Sequence, residues 1–216
     1  MELTIIYDNT VYKKDKNLKS DWGFSCLIKT SYENILFDTG AKGDILLNNI
    51  KILNIDPRKI SKIVISHEHW DHNGGLEGLL PHLKKDIPIY RFNDIKSEKL
   101  IFNPISNPVK ISENVFSTGR MKGEPVDEQS LILKGKKGYY ALAGCSHNHV
   151  KNILKKGKEY GEIKGLIGGL HGFSEFEIIK NLDLICPIHC TKHIKEIKNL
   201  YPNSYISGGV GRKIEI

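Results

Sequence analysis

Three histidines and an aspartate fall within six residues, His67-Glu68-His69-Trp70-Asp71-His72, directly after the apolar run KIVIS at 62–66. That run reads as a short buried strand, so the cluster sits where a strand leaves its sheet. Neutral imidazole and carboxylate are the ligands that zinc and similar divalent ions prefer. In extended backbone, residues two apart point the same way, which lets His67 and His69 grip one ion. Asp71 and His72 follow closely enough to serve a second ion beside it. Gly74 and Gly75 then let the chain turn sharply into a helix starting near Leu76. The spacing is not that of the metalloprotease helix, because the fourth residue after His67 is Asp71 rather than histidine. A solvated polar loop is the plain alternative, and it gives no cause for so many ligand types in one place.

A chain of 216 residues suits one globular domain, taken as 1–216, and no repeat or low-complexity tract divides it. With 39% hydrophobic and 26% charged residues it is neither disordered nor fibrous. No apolar run approaches the ~20 residues needed to span a bilayer, so no membrane partner is expected. The opening MELTIIYD shows no signal-peptide pattern, and a cytoplasmic location is expected. Four scattered cysteines, Cys26, Cys145, Cys186 and Cys190, make no disulfide framework and are read as reduced thiols or metal ligands. The net charge of +7 attracts anions. The lysines are dispersed, however, with no arginine stripe interleaved with aromatics, so a small anionic molecule is expected rather than nucleic acid. No apolar stripe demands a dimer, and the oligomeric state stays open.

Strands are expected at 3–7, 24–29 and 34–37, and a helix at 43–53 with an apolar face of Ile45, Leu46, Ile50 and Leu53. Asp56-Pro57 marks a turn or helix entry. Residues 93–125 read as loop-rich, a candidate substrate loop. Strands follow at 130–134 and 139–143, joined by the turn Gly135-Lys136-Lys137-Gly138, then a helix at 148–160 and a strand at 163–167. Ser174 and Glu177 match a capping box. A strand at 183–188, a helix at 191–200 and a strand at 204–206 complete the pattern. Strands followed by helices, twice over, suggest two halves layered as helix–sheet–sheet–helix.

The motif HxHxDH at 67–72 resembles the signature of the metallo-β-lactamase-fold hydrolases. Ile35-Leu36-Phe37-Asp38-Thr39-Gly40 is similar to the family's strand ending in a supporting aspartate. Ala143-Gly144-Cys145-Ser146-His147, Gly168-Gly169-Leu170-His171 and Pro187-Ile188-His189-Cys190-Thr191 extend the likeness toward the pterin-related synthase branch. The resemblance implies an α/β protein with the four-layer αββα sandwich of the metallo-β-lactamase fold. It also implies that His67, His69 and His147 hold one metal and Asp71, His72 and His189 a second. Cys145 stands where the family often has an aspartate, which makes it a further candidate ligand. Asp38 is then a hydrogen-bond partner that orients a ligand histidine.

The remaining candidates divide by context. His171, in a turn between glycines, is read as a phosphate binder, a proton donor or a simple loop cap. His82, His149 and His193 fit solvated positions; Cys186 and Cys190 have the spacing of a CxxxC zinc pair, but Cys186 falls inside an apolar run, so core packing is favoured; Trp22 and Trp70 fit packing, with Trp70 an alternative pocket residue. Two divalent ions, zinc first with iron or manganese as alternatives, would activate hydroxide and polarise a carbonyl or phosphoryl oxygen. The expected function is a metal-dependent hydrolase of a small anionic phosphate-ester or pterin-like substrate, with Asp71 and His171 in catalytic roles. A di-iron redox protein on the same scaffold and a pterin-pathway synthase are the alternatives.

Overall fold

Parallel strands need a crossover, and this chain repeatedly uses a helix to make one. The computed structural model describes residues 1–12 and 17–216. In chain order the strands and helices begin with β1 (Glu2–Tyr7), β2 (Ser25–Lys29), β3 (Asn34–Phe37), α1 (Gly43–Ile52), β4 (Ile60–Val64), α2 (Trp70–Asn73) and α3 (Leu76–Leu79). They continue with β5 (Ile87–Arg91), β6 (Leu100–Pro104), β7 (Val109–Ser112), β8 (Val115–Ser117), β9 (Leu131–Lys134) and β10 (Tyr139–Ala143). The last are α4 (Val150–Lys158), β11 (Ile163–Gly169), β12 (Leu184–Ile188), α5 (Ile194–Leu200) and β13 (Lys213–Glu215). The chain divides into two compact units, Met1–Ile105 with Gly208–Glu215, and Ser106–Ser207 with Ile216.

The first unit holds one mixed sheet, ordered β13-β1-β2-β3-β4-β5-β6 among the described residues. Strands β3 to β6 run parallel, and α1 is the crossover from β3 to β4. Leu46 and Ile50 of α1 and Leu76 and Leu79 of α3 pack with Ile6, Leu36, Ile63 and Ile65. Each such aliphatic side chain contributes roughly 1.5–3 kcal/mol by leaving water. The second unit holds the sheet β12-β11-β10-β9-β8-β7, with β10, β11 and β12 parallel. Its core sets Val150, Ile153 and Leu154 of α4 against Ala141, Ala143 and Ile163, and also takes in Ile197 of α5.

Several sequence expectations give way here. KIVIS is displaced: the strand runs Ile60–Val64, and Ile65 and Ser66 already belong to the loop. The stretch after His69 is not extended, because Trp70–Asn73 forms a helical turn and carries Asp71 and His72 on it. Residues 93–125 are not simply loop, since β6, β7 and β8 lie within them; their alternation is short and broken by prolines, which hides the period. Ser174 caps nothing, and a single 3-10 turn, Phe176–Ile179, begins behind Glu175. Residues 204–206 give one isolated bridge, Ile185 to Tyr205, rather than a strand. Strands β5 and β13 were not foreseen. Trp22 and Trp70 are exposed instead of packed.

The glycines after the motif also act differently from the expectation. Gly74 and Gly75 have ordinary helical φ values of −65° and −74°. What they supply is room. A Cβ on Gly75 would lie 2.1 Å from the Thr39 carbonyl oxygen, and one on Gly74 would lie 2.4 Å from that of Ala41. The motif therefore presses backbone to backbone against the loop after β3, and the Gly75 N–H donates to Gly40 O at 2.9 Å.

Candidate metal centre

Ligands in open α/β sheets gather outside the carboxyl ends of parallel strands. In the first unit, β3 and β4 are parallel neighbours, and Asp38 and Ser66-His67 follow their carboxyl ends. Asp38 is fully buried in the left-handed region at φ 58°, a conformation a non-glycine residue holds only when its surroundings insist. Its side chain is the hub. Oδ1 accepts the Ser66 N–H at 2.7 Å, and Oδ2 accepts the Ser66 hydroxyl at 2.7 Å. His72 Nδ1 donates to the same Oδ2 at 2.7 Å.

Those bonds set the tautomers. The Ser66 hydroxyl spends its proton on Asp38, so at 2.9 Å it accepts from His67 Nδ1. Both His67 and His72 thus carry their lone pairs on Nε2. His67 Nε2 faces His69 Nδ1 at 3.1 Å, close to the roughly 3.3 Å between two nitrogens that share a tetrahedral zinc. The rings of His67 and His72 lie 4.1 Å apart, and His72 Nε2 is 3.8 Å from Asp71 Oδ2. Four predicted ligands are therefore brought together in this unit. Glu68 works as an anchor: it accepts from Asn73 Nδ2 at 3.1 Å and pairs with the Arg91 guanidinium at the end of β5. Thr39 ties the two loops, its N–H and hydroxyl both donating to His72 O, at 2.7 and 3.0 Å.

Nearby, the buried Tyr7 ring lies under Gly40, where a Cβ would come within 2.4 Å of it. Burial first, then the charge of Asp21, pushes the Tyr7 phenol up to about 12.

The second unit repeats the device. Cys145 follows β10, His171 follows β11 and His189 follows β12, all at the carboxyl ends of parallel strands. Ser146, His171 and His189 have φ of 63°, 49° and 54°. The loop after β10 is held by a residue that sequence reasoning missed. Glu128, fully buried, accepts the N–H groups of Gly144, Cys145 and Ser146 on Oε1 at 3.0, 2.9 and 3.1 Å. Its Oε2 accepts the His147 N–H at 2.7 Å. Four donors offset the cost of burying one carboxylate. Nothing in the local sequence announces this, because an acidic residue before a strand is ordinarily solvated.

His147 Nδ1 donates to the Glu124 carbonyl at 3.1 Å, which again leaves the lone pair on Nε2. A cleft of about 330 Å³ opens here, lined by Glu124, His147, His149, His171 and Phe173 among others. The His147 and His171 rings lie 4.9 Å apart across it. His149, expected to be merely solvated, is exposed but lines this cleft. His82 is exposed as expected, and His193 bonds Glu196 at 3.2 Å. Cys186 lies fully buried within β12. Cys145, His189 and Cys190 are all buried, with one ligand atom from each within 4.8 Å of the others.

The donor set fits divalent cations: imidazoles with fixed tautomers, a carboxylate and thiols, held by hydrogen bonds behind them. Two mixed sheets with helices, carrying such residues at their strand ends, define the class. The chain belongs to the metallo-β-lactamase superfamily, whose family model matches residues 23–156. It is 30% identical, over 99% of its own length and all of the relative's, to an uncharacterized protein of Methanocaldococcus jannaschii. It is 26% identical, over 80% of this chain and 81% of the relative, to the 7,8-dihydropterin-6-methyl-4-(beta-D-ribofuranosyl)-aminobenzene-5'-phosphate synthase of the same organism. Among solved structures, Tm1679, described as a metal-dependent hydrolase of the beta-lactamase superfamily, matches with a TM-score of 0.80 at 24% identity. That match covers 100% of this chain and 99% of Tm1679. The fold is thus the metallo-β-lactamase fold. No helix among the described residues is long and apolar enough to cross a membrane.

Proposed function

We propose that residues 1–216 act as one metallo-β-lactamase-like domain, a hydrolase that uses two divalent ions on a small anionic substrate, a phosphate ester or pterin-like compound. The observation that carries this is the Asp38 hub, which fixes the tautomers of two histidines of the motif so that Nε2 carries the acceptor lone pair. A loop without a metal role has no need of a buried carboxylate behind its imidazoles. In this assignment His67, His69 and His147 hold the first ion, Asp71, His72 and His189 the second, and Cys145 is an additional ligand. When bound, such ions polarise a carbonyl or phosphoryl oxygen and bring the pKa of water to about 7.

The chain's own groups do the rest. Asp71 orients the attacking water and takes up its proton. His171, exposed and lining the cleft in the second unit, donates a proton to the leaving oxygen. The cleft is large enough for part of a small molecule. The excess of 32 basic over 25 acidic residues favours an anionic substrate. A synthase is the second possibility, favoured by the 26% identity to the pterin-related synthase.

The deciding experiment is elemental analysis of protein purified without chelator or histidine tag, followed by assay on phosphoesters and pterin precursors. Two zinc ions per chain with metal-dependent ester cleavage support the proposal. Condensation without cleavage moves the assignment to the synthase. Two irons and a colour that bleaches on reduction move it to a redox protein, and a chain that takes up no metal on reconstitution ends it.

A further inference from the structure

Two of the four cysteines behave as ordinary core residues. Cys26 lies inside β2 and Cys186 inside β12, both fully buried among apolar neighbours. Cys145 and Cys190 differ, because each lies just beyond the end of a parallel strand, beside the residues assigned to metal binding. The sequence alone weighs Cys190 with Cys186 as a CxxxC zinc pair and favours core packing for both.

We infer that Cys145 and Cys190, together with His189, form a thiolate-containing metal site, so that the cation held in this unit is a thiophilic one such as zinc. The inference deepens the proposed metal-dependent function and rests on it. Three observations carry it. The two sulfurs and a ring nitrogen of His189 all lie within 4.8 Å of one another. Ligands of a tetrahedral zinc with two sulfurs stand roughly 3.6–3.8 Å apart, so closure needs about 1 Å of side-chain movement. Next, the fold keeps space for the Cys190 sulfur. A Cβ on Gly169 would lie 2.8 Å from Cys190 Sγ and 3.2 Å from Cys145 Cα, so glycine at the end of β11 lets the two cysteine loops close on each other. Finally, Cys190 Sγ points at the Cys145 loop, 3.8 Å from Cys145 O.

Backbone constraints hold this arrangement. His189 is kept at φ 54° by the turn after β12, which Thr191 closes through its N–H and hydroxyl to Ile188 O at 3.1 and 2.7 Å. The same hydroxyl accepts the Leu170 N–H at 2.9 Å, which ties the turn to the end of β11. Cys145 is fixed from the other side, its N–H on Glu128 at 2.9 Å. On metal binding each thiol releases its proton to solvent and coordinates as thiolate. Thiolates favour zinc, cadmium, cobalt or iron and disfavour manganese and magnesium, whose chemistry calls for oxygen ligands.

The test is cobalt titration of reduced, metal-free protein, read as the near-ultraviolet sulfur-to-cobalt charge-transfer band. Wild type is expected to develop the band. Cys190→Ser should lose about half of it, one of two sulfurs being gone, while Cys26→Ala keeps it all. Should a variant fail to fold, X-ray absorption at the zinc edge of the wild-type protein gives the same answer, with sulfur expected at about 2.3 Å. Cobalt or zinc bound with a nitrogen and oxygen shell alone overturns this inference and leaves the hydrolase proposal standing. Failure to bind either metal overturns both.

Discussion

Asp38 Oδ2 stands 2.7 Å from His72 Nδ1, and both side chains are completely buried. The same oxygen accepts the Ser66 hydroxyl that in turn accepts from His67, so one carboxylate orients two imidazoles. Supporting partners of this kind typically govern metal affinity by a factor of about 10–100. Asp38→Asn is therefore expected to lower zinc affinity by about that factor, in a competition assay against a chromophoric chelator, and to lower the melting temperature of the metal-free protein as well, because its amide sets a donor against the Ser66 or His72 donors. Unchanged affinity would remove Asp38 from the metal site.

Gly75 inverts the usual propensity rule. At a helical φ, alanine normally beats glycine by about 1 kcal/mol. Here a Cβ would overlap the Thr39 carbonyl at 2.1 Å, and backbone has nowhere to go. Gly75→Ala should therefore destabilise by about 1–3 kcal/mol, the range for overpacking. Urea unfolding reads it directly, and a stabilised variant would show that the loops separate easily.

Glu128 accepts four backbone N–H groups of the loop from Gly144 to His147. Glu128→Gln keeps the shape but replaces one acceptor oxygen by a donor facing donors, and Glu128→Ala removes all four acceptors. Leaving buried donors unmet costs about 1–3 kcal/mol each, so the alanine variant should melt well below wild type and the glutamine variant between them. Calorimetry on the three proteins checks the order.

Asp71 is buried and its backbone carbonyl accepts the Phe24 N–H at 3.1 Å, a bond no side-chain change removes. Asp71→Ala should leave the circular dichroism spectrum intact and lower turnover by about 10²–10⁴, the range for losing a positioned acid–base group. Full turnover in this variant would sink the role assigned to it.

Tyr7 supplies a pH dependence of its own, from a group that is not one of the candidate metal ligands. Its phenol is pushed from 10.0 up to about 12, chiefly by burial. The folded pKa is the higher one, so the contribution is complete below pH 10 and is lost as pH rises toward 12. The loss is at most on the order of 3 kcal/mol, since each of the two pKa units is worth about 1.4. Denaturant titrations at about pH 9 and about pH 11 should show wild type losing more stability than Tyr7→Phe across that interval. Equal losses would mean that Tyr7 titrates normally.

By itself the sequence determined which residues are candidate metal ligands and much of the local structure. Imidazole and carboxylate at 67–72 are suited to a cation whatever the fold, strand-like apolar runs placed β1, β3 and β10, which are buried on both faces, and a single apolar face placed α1. Asp38 as the partner of a motif histidine was legible too, through the resemblance of residues 35–40 to the family's strand ending in a supporting aspartate. Glu128 was not legible. It becomes a nest for four N–H groups only when β9 and β10 pair and bring residue 128 to residues 144–147. Nor was the true work of Gly74 and Gly75, whose need for space arises from a loop more than thirty residues earlier. Cys190 looked like core for the same reason: only the parallel pairing of β10, β11 and β12 sets it beside Cys145 and over Gly169. Local composition fixes which atoms can bind a metal. Long-range pairing decides which of them meet, and buried carboxylates, absent Cβ atoms and sulfurs acquire their roles only once it has formed.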